Sequence, residues 1–125
     1  MKFLKWWGPV FLYAGFIFWL SSASRPIPGI QIFPWLDKPL HMIEYLPLGF
    51  FILRALAGSI GGVSLSRLHW LAILGALAVA VSDEVYQRFT PMRFSSPIDV
   101  GADVVGAAAG QVICWFNGRF YQNKP

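Results

Sequence analysis

Four apolar runs, each close to the length that a bilayer demands, divide this 125-residue chain. A helix needs roughly 20 mainly apolar residues to cross a hydrocarbon layer of about 30 Å, where an open backbone N–H or C=O finds no partner. The runs lie at about residues 6–22, 38–56, 68–89 and 98–116. Only 13% of the residues are charged and 56% are hydrophobic, whereas a soluble domain carries about 25% charged residues to keep its surface wet. The expected fold is all-α: a polytopic membrane protein whose four transmembrane helices form an antiparallel bundle, one domain over residues 1–125. Pro26, Pro28, Gly29 and Pro34 exclude a continuous helix between the first two spans. Pro47 should kink the second span, since proline removes a backbone donor. A Gly/Ser-rich stretch, residues 58–66, and a loop with Pro91 and Pro97 form the remaining connections.

The first run has a rival reading. Lys2 and Lys5, an apolar stretch and the small residues Ser22, Ala23 and Ser24 imitate a secretory signal peptide. Three further spans, together with the length and aromatic character of the run, favour a retained helix. The lone cysteine, Cys114, rules out an internal disulfide and a Cys-rich metal cluster, and packing is its expected role. The net charge of +4 comes from cations scattered between the apolar runs. That spacing suits loops at membrane faces and does not form a nucleic-acid-binding stripe. With the N-terminus inside, Lys2, Lys5, Arg54, Arg67, Arg119 and Lys124 share the cytoplasmic face, against Arg25, Lys38, Arg88 and Arg93 opposite. The positive-inside rule therefore places both termini in the cytoplasm.

The acidic residues carry the functional argument. Asp37 and Glu44 lie early in the second span, Asp83 and Glu84 late in the third, and Asp99 and Asp103 early in the fourth. In alternating spans these positions fall at one membrane face, whichever way the chain is inserted. Glu44, Glu84 and Asp103 sit roughly 6–10 Å inside their helix ends at about 1.5 Å per residue. Ionisable groups at that depth face one another or water, because facing lipid costs several kcal/mol.

Each motif has a plain reading beside a chemical one. Asp37 is expected to cap the second helix, with Pro39 in the first turn. Asp37, His41, Glu44 or Tyr45, and Leu48 then form one helical stripe, in which His41 is either a simple interhelical hydrogen-bonder or one half of an acid/base pair with the carboxylate three residues on. On the third span Glu84 and Arg88 have salt-bridge spacing, while Asp83 points about 100° away and needs a partner on another helix or a ligand. Gln87 adds hydrogen-bonding capacity beside them. Arg93, in the turn Phe89-Thr90-Pro91-Met92-Arg93, either sits at headgroup level or binds a lipid phosphate through its guanidinium fork. Asp99 is a candidate cap of the fourth helix, with Asp103 one turn deeper. Below it Gly106 and Gly110 have the spacing of close helix packing, with Ala102 above. His69 at the far end of the third span reads as interfacial. One histidine and several carboxylates could hold a divalent metal, but no tight ligand spacing such as His-Glu-x-x-His is present. Neither a metal nor a cofactor is assigned.

The order of these elements resembles the VanZ-like family of small bacterial membrane proteins. The matching residues are Ser21-Ser22, Asp37-Lys38 with His41, and Tyr45-Leu46-x-Leu48-Gly49. They continue with Ser82-Asp83-Glu84-x-x-Gln87-x-Phe89-x-Pro91-x-Arg93, then Asp99 followed by Gly106 and Gly110. The likeness covers nearly the whole chain. The family commonly has Asn four residues after the Asp of the last helix, where this chain has Asp103. The family takes its name from a member linked to resistance to the glycopeptide teicoplanin, so the resemblance implies a cell-envelope role in the bacterial cytoplasmic membrane without supplying a reaction.

Four readings compete, the last a purely structural one in which the polar cluster is interhelical glue, which explains pairs of residues but not six acids gathered at one end. In the first, an outward-facing site handles an anionic lipid or lipid-linked wall precursor. Lys38, Arg88 and Arg93 hold the headgroup beside Asp37, Tyr45, Gln87 and Asp103, while His41, Asp83, Glu84 and Asp99 set charge or move protons. In the second, a membrane-embedded hydrolase or transferase uses His41 or Glu84 as general base. In the third, the chain is a subunit of a proton-coupled transporter, for which four helices are few and a homo-oligomer would be needed. The first is the reading adopted from the sequence.

Overall fold

The computed structural model describes residues 1–22, 34–91, 93 and 95–118. Ala23, Ser24, Arg25, Pro26, Pro28, Gly29, Met92, Arg119 and Lys124, which enter the sequence readings above, lie outside these residues. The four expected spans are four helices: α1 Lys2–Ser22, α2 Asp37–Ser59, α3 Leu65–Arg88 and α4 Pro97–Phe116, with a short 3-10 turn at Pro34–Leu36 before α2. All four are long and apolar enough to cross a membrane. They form an all-α four-helix bundle.

The helix ends follow local chemistry, with two corrections to the sequence reading. Ser64 caps α3 by accepting from the Arg67 N–H, and Ser96 caps α4 by accepting from the Ile98 N–H ahead of Pro97. Both use a short hydroxyl to satisfy donors that a first turn leaves open. Asp37 is not the cap of α2. The capping position is Leu36, which makes no side-chain cap bond, and Asp37 is instead turned toward Lys38 and His41. Asp99 likewise does not cap α4, because Ser96 already does so. Pro47 lies inside α2, which remains helical on both sides of it. Its missing N–H deprives the Ile43 carbonyl of the usual donor, and at the next carbonyl the Tyr13 hydroxyl of α1 donates to Glu44 O at 2.9 Å.

α2 is the central helix. Half of its spanning stretch is buried, against 11% for α1. Tyr45, Leu48, Leu53 and Ala55 are fully enclosed, while Phe11, Leu12 and Trp19 of α1 point outward, as a lipid-facing helix should. α1 and α4 each pack on α2 and α3 and, among the described residues, not on each other.

Glycines decide how α2 meets α4. A methyl group placed on Gly106 would collide with the Met42 carbonyl, one on Gly110 with that of Leu46, and one on Gly49 with that of Ala107. Backbone therefore lies on backbone, the close approach that small residues allow between membrane helices. Met42 facing Gly106 and Leu46 facing Gly110 also show that α2 and α4 run parallel in a fixed register. Replacing Gly106 by Val should lower stability by about 1–3 kcal/mol or more, since backbone cannot yield as a side-chain tip can. Gly101→Ala, where nothing lies within 4 Å, should melt like wild type. Thermal unfolding of the two variants in detergent checks this.

Candidate functional site

The register set by the glycines carries directly into the polar end of the bundle. Just above the Met42–Gly106 contact, through Asp103 and Asp99 one and two turns before Gly106 on α4, the two helices exchange charge. His41 Nδ1 donates to Asp103 Oδ1 at 2.9 Å, and its Nε2 lies 3.7 Å from Asp37 Oδ1. The Lys38 ammonium bonds to Asp37 Oδ2 at 3.1 Å and to Asp99 Oδ1 across the interface. Asp99 and Asp103 are 2% and 1% exposed, whereas the Lys38 side chain is 38% exposed. This is a five-residue network that runs from partly exposed Lys38 and Asp37 down to enclosed Asp103. Asp37, His41 and Asp99 also bring three ligand atoms within 4.8 Å of one another, a spacing a divalent cation could use. Lys38 is bonded to both aspartates of that set, so one positive charge already occupies the position.

A second group links α3 to α1. Gln87 Nε2 donates to Asp83 Oδ2 at 2.9 Å and to Ser21 Oγ at 3.2 Å. The expectation that Asp83 needs a partner off its own helix is met through Ser21. Glu84 and Arg88 do not form the bridge that their spacing allows. Glu84 turns inward to face the Ser95 hydroxyl and the Ser96 backbone, and exposed Arg88 donates from Nε to Ser95 Oγ at 3.1 Å. Arg93 Nη2 donates to Leu20 O at 2.9 Å, which ties the α3–α4 loop to the end of α1. Glu44 stays half-buried, within electrostatic reach of His41, Asp83, Asp103 and Arg93.

Among the described residues, three buried atoms in this region have no hydrogen-bond partner: Tyr45 Oη, Asp83 Oδ1 and Glu84 Oε1. Leaving such an atom unpaired costs about 1–3 kcal/mol, more if charged, so each is a place where water or a ligand is favoured. The site thus divides in two. In the α2–α4 half every carboxylate of the network is paired with Lys38 or His41, and the half around Tyr45, Asp83 and Glu84 has unmet capacity.

A family model described as VanZ/LLP1 matches residues 3–118. The chain belongs to the VanZ-like family. The match takes in all four helices but for the first residue of α1, and with four membrane-spanning helices this VanZ-like chain is a multi-pass membrane protein. Comparison with curated proteins and with solved structures found no match. At Asp103, where the family commonly has Asn, the side-chain oxygen accepts from His41, a bond that an Asn oxygen could equally accept.

Sequence reasoning reaches most of these residues and misses others. Ser95 and Ser96 escape it because loop serines carry no periodicity. His69, expected at the interface, pairs through Nδ1 with Gln111 Oε1 of α4 at 2.8 Å. A glutamine inside a span was the available signal, since polar groups at that depth need partners. Lys38→Met should destabilise the bundle by about 1–3 kcal/mol, less than for a fully buried pair because the ammonium is partly solvated. Lys38→Met combined with Asp99→Leu should recover most of that loss, because no enclosed carboxylate is then left unpaired. A double-mutant cycle by thermal unfolding reads both effects.

Proposed function

We propose that the polar end of this VanZ-like protein binds the headgroup of an anionic lipid or lipid-linked cell-wall precursor at the outer face of the bacterial cytoplasmic membrane. The observation that carries the reading is the trio of unpartnered buried atoms on Tyr45, Asp83 and Glu84. A headgroup bearing hydroxyl or amide N–H groups would donate to the two carboxylates, and water enclosed beneath it would accept from the buried tyrosine. Arg88 at the rim, exposed and bonded among the described residues only through Nε, would hold the phosphate with its terminal N–H groups. Lys38 is less suited to that role than the sequence alone implies, because Asp37 and Asp99 already neutralise it. The outward direction follows from the cation count and the positive-inside rule. Handling such a lipid would alter susceptibility to teicoplanin, the trait from which the family takes its name.

Native mass spectrometry of the detergent-purified protein with added polyprenyl phosphate tests the reading. Wild type should retain the lipid, and Arg88→Ala should hold it about tenfold less well, as loss of a charge-assisted bond predicts. Arg88 is a cleaner probe than Arg93, whose removal would also release the loop from Leu20. No adduct in wild type, or equal retention by the variant, would remove the proposal.

A second reading rests on His41. Asp103 holds its Nδ1 at 2.9 Å, while Nε2, 3.7 Å from Asp37, is beyond hydrogen-bond distance of it, and one held and one available ring nitrogen is the arrangement that orients a histidine for proton transfer. On this reading the protein is a membrane-embedded acid/base hydrolase or transferase. Chromatography of the precursor after incubation should show conversion by wild type and none by His41→Ala. Absence of conversion by wild type returns the site to binding alone.

A further inference from the structure

The opposite end of the bundle holds an unmatched group that the polar cluster does not explain. Between the first turns of α3 and the last turns of α4 lies a groove of about 610 Å³, lined by Leu65, His69, Trp70, Ile73, Gln111 and Trp115 among others. Its wall is mostly apolar. Trp70 and Trp115 stand at its edges, 68% and 49% exposed, as indole rings do at a membrane–water interface. Gln111 is 2% exposed. Its Oε1 lies 2.8 Å from His69 Nδ1 and accepts from it in the tautomer that carries the proton there, and its Nε2 has no hydrogen-bond partner among the described residues.

His69 is four residues into α3 and Gln111 five residues from the end of α4, so the unmatched donor lies roughly 6–8 Å inside the helix ends at about 1.5 Å per residue. At that depth phosphates are out of reach above and the hydrocarbon below offers no acceptor. The acceptors that a bilayer presents there are the acyl-ester carbonyls of glycerolipids. We propose that the α3–α4 groove binds a diacylglycerol-based lipid, with an ester carbonyl accepting from Gln111 Nε2 and an acyl chain lying along Ile73, Ala108 and Val112. This site takes the ester region of a lipid and is independent of the headgroup site at the other end.

An uncharged pair of probes separates the two sites: dioleoylglycerol and its diether counterpart, which differ only in the carbonyl oxygens and carry no phosphate. Native mass spectrometry of the full chain in detergent should show the diester retained about three- to tenfold better than the diether, the range expected for one hydrogen bond. Gln111→Leu should abolish that preference, and so should Gln111→Leu with His69→Phe, which leaves no polar group behind if the single variant folds poorly. Arg88→Ala should preserve it, so failure of the headgroup site leaves this result intact. Equal retention of diester and diether by wild type overturns the proposal. So does a stable dimer that Gln111→Leu dissolves, because a second copy would then be the groove's occupant.

Discussion

Backbone contact between α2 and α4 is the constraint on which the polar end depends. Gly49, Gly106 and Gly110 each lie where a methyl group would strike a main-chain atom of the other helix or its neighbour. In lipid, apolar side chains gain little by leaving their surroundings, so packing and interhelical hydrogen bonds must hold helices together. The glycines supply the packing by bringing the main chains close. They also set a parallel register, which puts Lys38 beside Asp99 and His41 beside Asp103. A shift of one residue would turn these side chains about 100° away from each other. The ion pairs and the glycine contact therefore support the same alignment.

The polar end is uneven in a way that charge counting does not show. Where α2 meets α4, each carboxylate has a cation or an imidazole close by, as a low-dielectric interior requires. Where α3 turns toward α1, Gln87 satisfies one oxygen of Asp83, and the other oxygen has no partner among the described residues. Tyr45 stands at the centre of the bundle, fully enclosed, with an unpartnered hydroxyl. The first half is suited to holding helices together. The second half is suited to meeting something else, and Arg88 at its rim suits a phosphate.

The two membrane faces of the bundle differ in chemical character. One gathers all the acidic side chains and is stabilised by charge. The other is built on aromatic contact: the Trp6 ring fills the space over Gly58, Arg54 stacks on it at 4.8 Å, and Trp7 donates to Ser59 Oγ. Trp6 and Trp7 thereby join the start of α1 to the end of α2, and the His69–Gln111 pair joins α3 to α4 at the same level.

Much of this was legible without a structure. Run length and apolarity are local properties, and lipid enforces helices on any chain that crosses it, so the four spans and their order followed from the sequence. Alternation of direction then gathered Asp37, Glu44, Asp83, Glu84, Asp99 and Asp103 at one face. The glycine spacing signalled close packing before its partner helix was known. Pairing was a different matter, because it depends on which helix faces lie together. Only the tertiary structure decided that Asp37 serves Lys38 and His41 rather than capping α2, that Glu84 turns away from Arg88, and that His69 meets Gln111. Spacing along one helix put Asp37 and His41 on one stripe but could not choose between that contact and a cap, nor see His69 meet Gln111, 42 residues away.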